Sequence, residues 1–190
     1  MKKSLIGTLL ITSTLAALTT TLFFSERAQS RDSDFSFFSK SSYRGVMPVK
    51  NASYQEECSS CHMAYSPGLL PSKSWQKVMN NLADHYGDNA ELLPETQQTI
   101  LNYLLTNSAE KSKYYRSKEI ARSLRNNNSI DRITLSPYFI RKHDEIPKKF
   151  VIDNPKVGSF SQCNLCHTRA EQGSFNEDEI SIPGVGFWED

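Results

Sequence analysis

The chemistry-bearing side chains of this 190-residue sequence are its cysteines and histidines, four of each. All four cysteines fall in Cys-x-x-Cys pairs, and a histidine follows each pair at once: Cys58-Ser59-Ser60-Cys61-His62 and Cys163-Asn164-Leu165-Cys166-His167. Two thiols at this spacing reach the two vinyl groups of one porphyrin and form thioethers, and the next residue offers an imidazole to the iron of that same porphyrin. The motifs therefore predict two covalently attached c-type haems. Cys58, Cys61, Cys163 and Cys166 are the attachment points, and His62 and His167 are iron ligands. Three other chemistries use paired cysteines. A four-thiolate zinc site has the right ligand count but gives no role to the two histidines. Two disulfides suit an oxidising compartment. A thiol oxidoreductase places its Cys-x-x-Cys at the start of a helix in an α/β pattern, which this sequence lacks.

Two histidines remain, His85 and His143. Two irons and two spare histidines match in number, which predicts bis-histidine ligation. The setting of each supports it. Residues 72 to 87 read as a helix with Ser72 as N-cap and Gly87 just past its end. On it Trp75, Val78, Met79 and Leu82 recur at helical spacing and His85 continues the stripe. Ser136 followed by Pro137 starts a second helix, which Pro147 stops, and Phe139, Ile140, His143 and Ile146 share one face. Arg141, Lys142, Asp144 and Glu145 fill its solvated side. Methionine is the rival sixth ligand. Met63 adjoins His62 and is poorly placed to reach the opposite haem face, Met79 belongs to an apolar stripe, and Met47 lies in a loop. Local closure pairs His85 with the first haem and His143 with the second, while sequence alone leaves crossed ligation open. The ligand follows its motif in one half and precedes it in the other, so the halves are not a tandem repeat.

The elements that must position these residues read as all-α, a small multi-haem cytochrome with long loops wrapped around two covalent haems. A short helix leads into the first motif and a loop covers 67–71. After the His85 helix comes one over about 94–109 that buries Ile100, Leu101, Leu104 and Leu105. A weakly amphipathic helix spans 116–125, and Asn126-Asn127-Asn128-Ser129 signals a turn. The His143 helix, the second motif's helix and an extended tail at 180–190 complete the chain. Haems supply apolar core that so short a chain with such loops would lack.

The formal net charge of +1, with no long Lys/Arg run, excludes the phosphate neutralisation that nucleic-acid binding needs. Residues 1–30 differ from the rest: Lys2 and Lys3 precede an uncharged stretch from Leu5 to Phe24, and Ala28-Gln29-Ser30 suits cleavage. They form a signal peptide or, uncleaved, an N-terminal membrane anchor. Either way the remainder is exported. Residues 31–50 read as a flexible segment and 51–190 as the haem-bearing domain.

The two motifs, Pro67-Gly68-Leu69-Leu70-Pro71, Trp75-Gln76-Lys77-Val78-Met79, Asp84-His85-Tyr86-Gly87-Asp88-Asn89-Ala90, Arg132-Ile133-Thr134 and Arg141-Lys142-His143 together resemble the dihaem cytochrome c family of bacterial periplasmic proteins. The resemblance implies low-spin bis-histidine haems on His62, His167, His85 and His143, a periplasmic location and an electron carrier rather than an enzyme. It further implies redox partners, among them an oxygen-binding c-type cytochrome and a membrane b-type cytochrome. The alternative is a dihaem enzyme, peroxidase-like, with one displaceable sixth ligand.

Overall fold

The computed structural model describes residues 44–126 and 130–188. The expected signal peptide or anchor over 1–30, residues 31–43 of the expected flexible segment and the 127–129 part of the expected turn lie outside them. Seven α-helices are described: α1 Ala52–Cys58, α2 Ser72–Met79, α3 Pro94–Thr106, α4 Tyr115–Ser123, α5 Pro137–His143, α6 Lys148–Val151 and α7 Cys163–Cys166, interspersed with single-turn 3-10 segments. A two-stranded antiparallel hairpin, β1 Ser181–Ile182 and β2 Gly186–Phe187, closes the chain where an extended tail was expected. The all-α reading holds, since this hairpin is the sheet of the described residues. Among them no helix is long and apolar enough to cross a membrane.

The main core lies in the first half. Tyr54 of α1, Trp75 and Met79 of α2, Ile100 and Leu104 of α3, and Ile120 and Leu124 near α4 bury together with Leu69 and Leu70. The 67–71 stretch, expected as a loop, forms a buried 3-10 turn at Pro67–Leu69 capped by Ser66, whose hydroxyl accepts from the Gly68 amide. The Trp75 indole N–H donates to the Pro67 carbonyl at 2.7 Å, so this turn and α2 are locked to each other. On α3, Ile100 and Leu104 are fully buried while Leu101 and Leu105 are only partly so. The helix ends at Thr106, and a separate 3-10 turn covers Ala109–Lys111.

Two boundaries differ from expectation. Ser72 is the first residue of α2 rather than its cap. Pro71 holds the cap position, and the Ser72 amide and hydroxyl both donate to Glu110 Oε1, at 3.0 and 2.5 Å. The helix also stops at Met79, well before His85. Asn80 and Asn81 follow, and the Asn81 side-chain amide donates to the Asp84 carbonyl at 2.7 Å. Asn competes in this way for backbone groups that a helix would otherwise use. Residues 44–50, assigned to a flexible segment, are packed in the described structure. Val46 is 1% exposed and its amide donates to the Gly173 carbonyl at 2.9 Å. A side chain at Gly45 would collide with that carbonyl, its Cβ falling 1.9 Å away. Glycine is thus required for this close approach.

The second half has a different interior. Val151, Val157, Ala170, Ile180 and Ile182 are buried yet stand apart from the main core. Of these, Val151, Val157, Ile180 and Ile182 line a common space.

Candidate haem sites

The second motif sits in α7, a single helical turn that brings Cys163 and Cys166 onto one side and leaves His167 at its C-cap. Opposite stands His143, the last residue of α5. That helix starts as its sequence indicates, since the Ser136 hydroxyl accepts from the Phe139 amide at 3.1 Å and Pro137 occupies the first turn, but it ends at His143 rather than running on to Pro147. Ile140, expected on the inward face, is 51% exposed, because the short α5 presents a narrow stripe to the interior. The His143 and His167 ring centres are 6.1 Å apart with planes at 76°. Phe139 stacks on His143 at 3.8 Å, and Phe160 stands edge-on to it at 5.9 Å. Between these residues lies a cleft, open at its mouth, with Ile120, Ile133, Val157, Phe175 and Ile182 on its walls. Apolar walls that converge on a few polar and histidine side chains are the lining expected of a cofactor site.

The first motif is built otherwise. Helix α1 ends at Cys58, and a turn carries the chain through Cys61 to His62. His85 meets it from a tight turn after the 3-10 segment Leu82–Asp84, not from a helix. The His85 amide donates to the Asp88 carbonyl at 2.7 Å and the Asp88 amide returns a bond at 3.3 Å. Between them Tyr86 adopts φ 60° and Gly87 φ 105°. A non-glycine residue in the left-handed region is costly unless its surroundings hold it there. Here the Arg132 guanidinium lies 4.1 Å over the Tyr86 ring, and the Tyr86 hydroxyl donates to the Asp131 carbonyl. His62 and His85 thereby face each other with ring centres 6.3 Å apart and planes at 31°. A more polar space borders this first motif, lined by Cys61, His62 and Met63 together with Gln162, just before the second motif, and Asn164 within it.

These separations are informative. Two imidazoles on opposite sides of one metal, with bonds of about 2.0 Å and ring centres about 1.1 Å behind each nitrogen, stand roughly 6 Å apart. Both histidine pairs fit that spacing, and they fit it as His62 with His85 and His143 with His167. The remaining ring nitrogens are consistent with it. His62 Nδ1 bonds the Met63 carbonyl and His143 Nδ1 the Phe139 carbonyl, each at 2.8 Å, which leaves Nε2 as the electron-pair donor. His167 Nδ1 is buried without a partner. Burial, then the nearby His143 and Arg116, bring the His167 imidazole down to about 4. Burial and His62, aided by Arg132 and opposed by Asp88, also lower His85. Both rings are thus neutral near pH 7, the form that binds a metal.

The cysteines do not suit the other chemistries. Burial, helped by Glu57, pushes the Cys58 thiol up to about 11, and burial takes Cys163 to about 11 and raises Cys166. Thiol oxidoreductases need the opposite shift. All four cysteines are unpaired, and among the described residues no three His, Cys, Asp or Glu side chains converge as a zinc site requires. Of the methionines, Met79 is core packing at 3% exposure, while Met47 and Met63 line the space beside the first motif.

The family model for dihaem cytochrome c matches residues 54–175. The chain belongs to the dihaem cytochrome c family. Like other dihaem cytochromes c, it carries two covalently bound haem c groups with iron, and the residues just described fit them. Solved structures agree. A diheme cytochrome type c from Shewanella baltica is 46% identical, with 73% of this chain and 98% of that one covered and a TM-score of 0.61. A diheme cytochrome c from Rhodobacter sphaeroides is 37% identical over 68% of this chain and 100% of that one, with a TM-score of 0.60. A comparison with curated proteins found no match.

Several residues that build these dihaem cytochrome sites carry no signal in the sequence. Tyr65 stacks on His62 at 4.5 Å, and its hydroxyl donates to the Ser161 carbonyl at 2.6 Å, two residues before the second motif. Arg116 belongs to a helix of weak amphipathicity yet lines the second cavity. Only Gly87, two residues after His85, left a trace, read in the sequence as the residue just past a helix end.

Proposed function

We propose that this dihaem cytochrome c is a periplasmic electron carrier whose two irons are each closed by two histidines, His62 with His85 and His167 with His143. The observation that carries this reading is the pairing of all four histidines at 6.3 and 6.1 Å. Each haem supplies a one-electron ferric/ferrous couple when bound. The protein's part is to hold the four imidazoles in place, His62 and His143 each backed by a carbonyl acceptor, and to exclude water with the aromatic and aliphatic walls of the cavity at the second motif. With His62 and His85 on one iron and His143 and His167 on the other, no coordination site would remain for a substrate, and the function would be outer-sphere exchange with redox proteins. An oxygen-binding c-type cytochrome and a membrane b-type cytochrome are the partners this reading favours.

The test is ferric EPR of the purified holoprotein. Axial ligands are the protein's main lever on haem electronics. Imidazole planes near parallel split the iron d orbitals strongly and give a rhombic low-spin signal. Planes near perpendicular leave two orbitals almost degenerate and raise the largest g value. The 31° and 76° pairs therefore predict two distinct low-spin signals. His85→Met should remove the rhombic signal and His143→Met the other. A substantial high-spin component in the native protein, or turnover of hydrogen peroxide, would replace this reading by the peroxidase-like enzyme.

A further inference from the structure

The charges around the two histidine pairs are unequal. Arg116, in the first turn of α4, lines the second cavity together with His143 and His167. Its guanidinium is held by neutral acceptors: Nη1 donates to the Tyr138 hydroxyl at 2.8 Å and Nη2 to the Phe175 carbonyl at 2.9 Å. Its Nε is buried without a partner. No described carboxylate forms an ion pair with it. The other charged groups on that cavity, Lys142 and Glu177, neutralise each other at 2.6 Å. Glu177 also lies within electrostatic reach of Arg116, so the protein's own charged groups on that cavity sum to one positive charge beside the second iron site. At the first site the charges nearest His85 are Asp88 and Arg132, of opposite sign, and Asp131 is paired with Lys77 at 2.9 Å. Each haem brings the same propionates, so the difference between the sites is set by the protein.

A fixed positive charge in a poorly solvated site favours the form of the iron that carries less positive charge, the ferrous one. We propose that Arg116 is a potential-tuning residue. It holds the haem of Cys163, Cys166 and His167 at a higher reduction potential than that of Cys58, Cys61 and His62, so that a single electron settles on the second haem. This rests on the reading of two bis-histidine irons. It goes beyond that reading by ordering them: the first haem is the lower-potential entry and the second the resting place of the electron.

Spectroelectrochemical titration followed by EPR tests the order in the native holoprotein, Arg116→Gln and Arg116→Lys. The ferric signal of the near-perpendicular pair should vanish first as the native protein is reduced. Arg116→Gln should weaken reduction of that haem on the order of tenfold, about 59 mV for one electron, and leave the other step in place. Arg116→Lys, which keeps the charge but not the guanidinium geometry, should stay close to native. The proposal is overturned if the near-perpendicular signal vanishes last, if Arg116→Gln leaves both steps where they were, or if Arg116→Lys falls as far as Arg116→Gln. Failure of the underlying reading looks different: fewer than two haems per chain, or a high-spin signal, in the native protein.

Discussion

At the residue scale, each site depends on side chains that aim the histidines as much as on the histidines themselves. Ser136 shows this for the second site. It is 1% exposed and caps the seven-residue α5, whose last residue is His143. So short a helix has little stability of its own and relies on its cap and its packing. Ser136→Ala should cost about 1 kcal/mol and lower the melting temperature of the holoprotein by roughly 2–4 °C, measured by circular dichroism. The first site relies instead on a turn. Tyr86 sits at φ 60° because Arg132 covers its ring and Asp131 takes its hydroxyl proton bond, and His85 is held by the same turn. His85 is thus aimed by tertiary contacts from the 131–132 segment rather than by a helix of its own.

At the scale of elements, the two sites are joined by side chains that reach from one half to the other. The Tyr65 ring lies flat on His62, while its hydroxyl reaches the Ser161 carbonyl just before α7. The 44–50 segment makes another link, with Val46 buried in the first-half core and bonded to Gly173 of the second half, and Arg116 a third through Tyr138 and Phe175. Tyr65→Phe isolates the first of these. It keeps the ring on His62 and deletes only the hydrogen bond across the halves. Stability in guanidinium titration should fall by about 1 kcal/mol, the ordinary net worth of one such bond. The low-spin optical spectrum should not change, and a loss of low-spin character would show that the hydroxyl positions His62 rather than joining the halves.

At the scale of the whole molecule, the halves differ in what fills them. The first half has a side-chain core of its own built around Leu70, Ile100 and Leu104, each at most 2% exposed. In the second, Ile133, Phe139, Ile146, Val157, Phe175 and Ile182 face a cavity. Apolar walls without a partner lose the burial that would hold them together. Replacing Cys163 and Cys166 by Ala should therefore do more than remove one haem. Limited proteolysis should cut within 131–188 while 44–126 persists. Replacing Cys58 and Cys61 by Ala should leave the first-half core resistant. Equal sensitivity of the two halves in both variants would show that the first half also depends on its haem for its core.

The sequence by itself determined the chemistry. Cys-x-x-Cys-His is a local pattern whose function follows from the reach of three neighbouring side chains, so no tertiary information is needed to read it. The α5 cap and the stripe of α3 were legible for the same reason, since capping and helical periodicity are set within a few residues. Tertiary structure decided what depends on distant partners. It ended α2 at Met79 and placed His85 in a turn, because Asn80-Asn81 and contacts from 131–132 outweigh a helical stripe. It drew 44–50 into the fold through Gly173, which no local signal near residue 45 announces. It also set His62 against His85 and His143 against His167, where the sequence had left crossed pairing open. Which histidines face each other across a space is a property of how the loops close, and loop closure is fixed by contacts between residues far apart in the chain.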